Sequence, residues 1–119
     1  MATVIRAELS KNNKYWISKH RYYELKHFCL QYPEWQKERS TTKRELITLI
    51  EETAREADQY LYDYIIKGVV EGRSYTYLRT VLGIPCGRDM YYDRYRKFFW
   101  LLNESRERGY RHGSERIVG

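Results

Sequence analysis

The stretch SYTYLRTVLGIPCGRDMYYDRYRKFFWLL, residues 74–102, decides the fold. Ser74 can cap a short helix over Tyr75–Leu82, because a serine hydroxyl accepts a hydrogen bond from a backbone N–H of the first helical turn. A turn containing two glycines follows at residues 83–87, and a longer helix is predicted for Arg88–Ser105. A short helix, a turn with glycine and a longer helix are typical of the helix-turn-helix motif.

The longer helix has an apolar face and a polar face. The apolar residues recur at helical spacing and predict a buried stripe of Tyr91, Tyr95, Phe98 and Leu102. Arginines fork onto guanine edges and carboxylates accept hydrogen bonds from cytosine, so we expect the opposite face to read a major groove. The residues expected there are Arg88, Tyr92 and Arg96 in one row, with Asp93 beside them. Nearby basic residues are expected to meet phosphates, namely Arg73, Arg79 and Lys97.

Two features of this helix pair depart from the usual motif. Helix-turn-helix units generally have a small residue where the two helices touch, and that position is Arg79 in this sequence. The turn is also about one residue longer than usual. We therefore expect the crossing of the two helices to be altered.

The first half of the chain also has a helical period. A helix is predicted between Trp16 and Tyr32, with Ser18 at its start and Pro33 at its end. Pro33 is then expected to open a short second helix, since proline is favoured in a first helical turn. Thr42 and Glu45 form a capping box, which predicts the start of the next helix.

A heptad stripe follows that capping box. Its members alternate at three- and four-residue steps and are Ile47, Ile50, Ala54, Ala57, Leu61, Tyr64 and Gly68. One long helix over residues 43–70 suits this stripe, with Asp58 as the position where it could break. The stripe is either the core face of a small bundle or a seam between two copies of the chain.

These elements predict an all-α fold, a small bundle of four to five helices with a C-terminal helix-turn-helix. The chain of 119 residues is expected to form a single domain. We expect a mobile arm at 1–14, a bundle part at 15–70, the helix-turn-helix at 71–105 and a mobile basic tail at 106–119. The predicted core comprises Tyr22, Leu25, Phe28, Ile50, Leu61, Ile65, Val69, Leu78, Leu82, Ile84, Tyr91, Tyr95, Phe98 and Leu102.

Composition narrows the class of protein. Hydrophobic residues make up 42% of the chain, and thirteen tyrosines stand against three phenylalanines. Tyrosine keeps a hydroxyl near water, so this excess favours thin helical layers and contact surfaces over a deep apolar interior. Neither a membrane span nor a secretory signal is recognisable, and two cysteines are too few for a disulfide framework. We expect a soluble, intracellular protein, since free thiols fit a reducing cytoplasm.

Charge is distributed unevenly along the chain. Residues 1–44 carry ten Lys and Arg against four Asp and Glu, residues 45–72 two against seven, and residues 73–119 ten against five. The net charge is +6. Positive charge at both ends can place one face against a polyanion, although solvated helix faces would give the same pattern.

Enzyme-like constellations are sparse, and we expect neither catalysis nor a cofactor. His20, His27 and Cys29 lie close in sequence but do not complete a tetrahedral zinc set, so no metal is expected. Cys29 lies in an apolar stripe and is expected to be a buried hydrophobe, whereas Cys86 could have a lowered pKa near Arg88. One acidic helix face is expected to be exposed, at Glu51, Glu52 and Glu56.

Two stretches carry a resemblance: YWISKHRYYELKHFCLQYP at residues 15–33, and the stretch from SYTYL at 74–78 through IPCGRDMYYDRYRKFFWLL at 84–102. They resemble small proteins encoded by prophages of Firmicutes. Those proteins are similar to the RinA and ArpU type of phage transcriptional regulators, whose C-terminal part resembles region 4 of bacterial sigma factors. The likeness covers roughly residues 15–35 and 60–102; residues 36–59 form a shorter segment than is usual, and the tail after Asn103 is unmatched. The resemblance implies a non-enzymatic, DNA-binding role in late phage gene expression.

Other kinds of partner remain open at this point. A small helical phage protein can also block host defence, as inhibitors of RNA-guided nucleases of the anti-CRISPR type do, and here the acidic 45–72 segment would mimic nucleic-acid phosphates. A DNA-packaging recognition subunit is a third interpretation. The expected partners are thus duplex DNA, a host protein such as RNA polymerase or a defence nuclease, and a second copy of the chain.

Overall fold

A computed structural model describes the backbone of residues 14–118 and the side chains of residues 14–108. Residues 14–118 form six helices and no strand. These are α1 (Lys19–Leu30), α2 (Tyr32–Lys37), α3 (Thr41–Ala57), α4 (Tyr62–Glu71), α5 (Tyr75–Thr80) and α6 (Arg88–Val118). Gln31 alone separates α1 from α2, so the two make one bent unit. The predicted class, an all-α small bundle, is confirmed, while the arm predicted at 1–14 lies almost wholly outside the described residues.

Two of the predicted helix starts are confirmed by their caps. The Ser18 hydroxyl accepts a hydrogen bond from the Arg21 N–H at 3.2 Å, and α1 begins at the next residue. The Ser74 hydroxyl accepts from the Tyr77 N–H at 3.2 Å at the start of α5. Pro33 lies in the first turn of α2, as expected of a residue with no N–H to leave unpaired.

The start of α3 differs from the prediction. Ser40, not Thr42, is the cap, because its hydroxyl accepts from the Lys43 N–H at 3.2 Å. Thr42 lies inside the first turn of α3, so the predicted capping box with Glu45 is wrong. A serine two residues earlier satisfies the same orphan N–H groups, and the Thr-x-x-Glu pattern alone could not distinguish the two registers.

The heptad stripe spans two helices rather than one. The chain leaves α3 at Asp58, whose carboxylate Oδ1 accepts from the N–H groups of Tyr60 at 2.8 Å and Leu61 at 2.9 Å. This local turn competes with helical hydrogen bonding, which is the usual reason that aspartate ends helices. Five residues of the stripe are nevertheless buried within the single chain: Ile50, Ala54, Ala57, Leu61 and Gly68. The stripe is therefore core of one chain.

The core forms around α6, which packs against α1, α3 and α4. Its Phe98 and Leu102 are fully buried, as predicted, and Phe99 is buried beside them. The helix runs to Val118, so the predicted end at Ser105 is wrong. A polar sequence after residue 102 carries no apolar stripe from which a helix end could be placed.

Most of the predicted core is buried, with two exceptions. Phe28 is only half-buried, packed against Trp35 at a ring-centroid distance of 4.9 Å. Leu82 is 37% exposed, because α5 ends at Thr80 and Leu82 lies in the following turn. Ile84 is fully buried and fills the core at the end of that turn. The prediction that Leu82 is a core residue is therefore wrong.

Candidate nucleic-acid interface

The connection between α5 and α6 comprises seven residues, 81–87, and is closed by hydrogen bonds to its own backbone. The Ile84 N–H donates to the Leu78 carbonyl at 3.0 Å, and Gly83 has a φ of +69°, a left-handed conformation that glycine adopts without strain. The Tyr75 hydroxyl donates to the Cys86 carbonyl at 2.7 Å. These bonds fix how α6 enters the molecule. The seven-residue connection exceeds the usual turn of about three to four residues by more than the one residue expected.

Arg79 belongs to this turn. Its guanidinium donates to the Ile84 carbonyl at 3.1 Å, so the side chain that stands where a small residue is usual folds over the connection. The structure thus places this predicted phosphate ligand on the protein's own backbone.

A cleft of about 460 Å³ lies between α1, the end of α4, α5 and the start of α6. Four tyrosines line it, and we refer to it as the tyrosine cleft: Tyr22, Tyr75, Tyr92 and Tyr95. Three cations also line it, Lys26, Arg73 and Arg88, whereas no carboxylate is among its described lining residues. The cleft brings together three of the seven predicted DNA-binding residues, Arg73, Arg88 and Tyr92.

The cations of the cleft lie on aromatic rings. The guanidinium of Arg88 is 5.4 Å from the ring centroid of Tyr75 and 5.9 Å from that of Tyr92. The guanidinium of Arg73 lies 4.3 Å from the Tyr77 ring, and its Nε makes an ion pair with Glu71 at 3.2 Å. A cation over a ring at the protein surface is attracted only weakly, so these guanidinium groups can leave the rings and bind an anion instead.

The tyrosines form one contiguous cluster. The Tyr75 and Tyr92 rings are half-buried, with centroids 6.4 Å apart, and the hydroxyls of Tyr22 and Tyr95 lie 2.8 Å apart deeper in the cleft. Centroid distances of 5.0–5.9 Å join Tyr91 to Tyr75, Tyr92 and Tyr95. Tilted pairs at this spacing are the favoured aromatic geometry, so the ring walls are held rigidly.

Tyr91 lies behind the floor of the cleft. It is 1% exposed, and its hydroxyl has no hydrogen-bond partner among the described residues. Burial, and after it the neighbouring Tyr92, raise the pKa of this hydroxyl, so it stays protonated. The hydroxyl lies against Gly68, a residue that lines the cleft, and a Cβ at Gly68 would collide with it. The absence of a side chain at Gly68 thus leaves a buried donor next to the cleft.

The remaining predicted site residues lie outside the cleft. Asp93 forms an ion pair with Arg94. The Nε of Arg96 is buried and without a hydrogen-bond partner among the described residues, and Lys97 is half-buried. The row Arg88, Tyr92 and Arg96 is therefore open to a ligand chiefly at its Arg88 end, at the exposed first turn of α6.

Sequence reasoning did not identify Lys26 and Tyr75 as site residues. Lys26 is on α1, far from the helix-turn-helix in sequence, and nothing local marks it. Tyr75 follows the cap Ser74 directly and contributes to the tyrosine excess, which was the available signal. Arg94 was also missed: its Nε donates to Asp58 Oδ2 at 3.0 Å across 36 residues.

Two further sequence expectations are corrected by the geometry. Burial is the main reason that the pKa of the Cys86 thiol is raised, with Asp58 acting in the same direction against Arg79 and Arg94, so the predicted lowering is wrong. Glu51 is half-buried and accepts a hydrogen bond from the Tyr32 hydroxyl at 2.6 Å, which removes it from the predicted exposed acidic face. Cys29 is fully buried, as expected.

The described part of the chain contains neither a metal cluster nor a membrane-spanning helix. No three His, Cys, Asp or Glu side chains there are grouped so that they could hold a metal ion. None of the helices in residues 14–118 is both long and apolar enough to cross a bilayer. No protein-family model, no curated protein and no solved structure matches the chain.

Proposed function

We propose that this chain is a DNA-binding protein of bacteriophage origin that regulates transcription, with α5, the 81–87 turn and α6 as its helix-turn-helix. The observation that carries the proposal is the exposed first turn of α6, where Arg88 lines the same cleft as Arg73. In helix-turn-helix proteins it is the N-terminal residues of the second helix that contact base edges. The likeness to phage regulators supports the regulatory role.

In the proposed complex, α6 enters the major groove by its N-terminal end. Arg88 supplies the fork that recognises guanine, and Tyr92 and Asp93 follow one turn later on the helix. Arg73 and Lys97 neutralise phosphates on either side. Arg96 lies further along the helix, where its part-buried guanidinium supports the row.

Selection of bound sequences from a random duplex pool tests this function. We expect an enriched motif, and an affinity that falls linearly with salt on a log–log plot with a slope of about −0.9 for each phosphate neutralised. Arg88→Ala should cost about 1–3 kcal/mol and relax the sequence preference, whereas Lys97→Ala should weaken all sequences alike. Arg44→Ala, an exposed arginine of α3, is the matched control and should leave both unchanged.

A second candidate function is inhibition of a host protein by the acidic middle of the chain. Glu45, Glu52 and Glu56 recur at helical spacing on α3, are exposed, and make no ion pair with a described residue. Such a face could replace phosphates in the basic channel of a defence nuclease or of RNA polymerase. An unenriched duplex pool, with one stoichiometric host protein captured from lysate and lost on charge reversal of α3, would favour this function over DNA binding.

A further inference from the structure

We infer that the tyrosine cleft binds a single unstacked nucleotide, base and phosphate together. This inference rests on the proposed function only in taking nucleic acid as the ligand, and it assigns Arg88 to the phosphate of a single strand, a binding mode separate from the guanine contact proposed for duplex DNA. The tyrosine cleft has a volume of about 460 Å³, which is that of a site for one small molecule. A nucleotide combines a flat aromatic face with a phosphate, and the cleft presents a counterpart to each.

The walls of the cleft offer ring surface rather than free hydroxyls. The hydroxyl of Tyr75 is committed to the Cys86 carbonyl, and those of Tyr22 and Tyr95 lie within hydrogen-bond distance of each other. The half-buried rings of Tyr75 and Tyr92 stand at the entrance. Every base has a π-face, so stacking on tyrosine selects a base without requiring a particular sequence.

The charge of the cleft fits the phosphate. Lys26 comes from α1, Arg73 from the connection after α4 and Arg88 from α6, so three separate elements direct cations at one space. The contact that Arg73 makes with Glu71 is through its Nε, at 3.2 Å. Arg88 lies over the Tyr75 and Tyr92 rings in the free protein, and it would leave them to contact the phosphate as the base takes its place.

Binding of a fluorescein-labelled single-stranded DNA 12-mer to the full chain, followed by fluorescence anisotropy, tests this inference. Tyr75→Leu should weaken binding about tenfold, within the range that one base–aromatic stack is worth. Tyr75→Phe removes the hydrogen bond to Cys86 but keeps the ring, so its affinity should stay within twofold of the unaltered chain. Equal affinities for Tyr75→Leu and the unaltered chain would overturn the inference.

Lys26→Ala tests the charge: the Lys26 side chain is half-buried, with its ammonium 5.9 Å from the Tyr22 ring centroid, and Lys19→Ala on the same helix is the control. We expect Lys26→Ala to weaken single-strand binding severalfold and to flatten its salt dependence, and Lys19→Ala to change neither; identical behaviour of the two would overturn the inference. A competition arm with deoxythymidine monophosphate identifies the source: displacement of the 12-mer indicates that a free nucleotide suffices, and displacement only by unlabelled single strand indicates a nucleotide within a chain.

The two proposals fail separately. Enriched duplex binding that depends on Arg88, together with no affinity for the single strand or for the mononucleotide, would overturn the nucleotide site and leave the proposed function standing. Single-strand binding that is sensitive to Tyr75→Leu, together with an unenriched duplex pool, would support the site and overturn duplex recognition.

Discussion

Arg94 and Arg88 lie on the same helix but in opposite electrostatic surroundings. Arg94 reaches Asp58 at the end of α3 and also pairs with Asp93, so its charge is neutralised within the fold. Among the described residues, Arg88 makes no ion pair and lies over the Tyr75 and Tyr92 rings. We call the first region the Asp58 junction. The comparison teaches that a basic residue on α6 contributes to stability or to binding according to whether a carboxylate from another element reaches it.

A similar contrast separates the tyrosine cleft from a second depression along α1, with which it shares Lys26. That depression, lined by Arg21, Lys26 and Arg106 among others, also contains Glu24. Arg21 pairs with Glu24 at 3.1 Å and with Glu107 at 3.3 Å, and Arg106 lies over the Phe28 ring. The charge of Arg21 in this depression is therefore neutralised by carboxylates of the same chain, which leaves the tyrosine cleft as the better anion site.

The largest effect is expected from loosening the support of the cleft. Leu78 is fully buried and holds α5, which carries Tyr75, against the core. Leu78→Ala should lower the free energy of unfolding by about 2–5 kcal/mol, because the lost contacts and the cavity both cost stability. Urea denaturation followed by circular dichroism measures it. Leu82→Ala is the control: at an exposed position of the turn it should cost about 0.5 kcal/mol or less. Equal losses at the two positions would mean that the turn is packed differently.

The next effect concerns the Asp58 junction. Burial alone would raise the pKa of the Asp58 carboxyl, but the N–H groups of Tyr60 and Leu61 and the Arg94 guanidinium hold it below its ordinary value. A carboxyl with a depressed folded-state pKa stabilises the protein above its unfolded pKa, near 3.9, and loses that contribution as the pH falls through the folded value. Asp58→Asn should therefore cost about 1–3 kcal/mol at neutral pH, and the difference should shrink below about pH 4.

Unfolding curves of the Asp58→Asn variant between pH 2.5 and 7 measure this dependence. Glu52→Gln, an exposed carboxylate of α3, is the control and should differ from the unaltered chain by at most about 0.5 kcal/mol throughout. A deficit for Asp58→Asn that stays constant over this range would show that the shape of the turn, not its charge, stabilises the junction. The affinity for single-stranded DNA should be unchanged, since neither Asp58 nor Arg94 lines the tyrosine cleft.

The parts of this fold that sequence predicts are those fixed by neighbours in the chain. Ser18 and Ser74 cap helices through residues three positions away, and the buried stripe of α6 follows from its own periodicity. Leu82 and Ile84 show the limit, because both are apolar and only the early end of α5 decides which one is buried. The pattern of apolar residues does not show where the helical hydrogen bonds of α5 end, so it cannot distinguish Leu82 from Ile84.

The candidate site could be predicted only in part, because it is assembled from distant segments. Arg88 and Tyr92 were identifiable from the polar face of α6, and Arg73 from its place before Ser74. Lys26 reaches the cleft only through the packing of α1 beside α4 and α6. In the same way, Asp58 reaches Arg94 across 36 residues, a pairing that determines which arginine is neutralised and that periodicity cannot reveal.

The smallest effect would sharpen the comparison by changing a single charge at the cleft. Glu71 accepts hydrogen bonds from both Arg73 and Lys67, and although burial alone would raise the pKa of this carboxyl, those two partners lower it. Glu71→Gln keeps an acceptor for Arg73 but removes the negative charge that competes with a bound phosphate. Single-strand affinity should rise about twofold, and the salt slope should steepen by up to about 0.7, the value for one more single-strand phosphate neutralised. Glu34→Gln, whose partner Lys37 lies 3.8 Å away on α2, is the matched control and should change neither quantity. An unchanged slope for Glu71→Gln would mean that Arg73 does not contact the phosphate, and the anion would then be held by Lys26 and Arg88 alone.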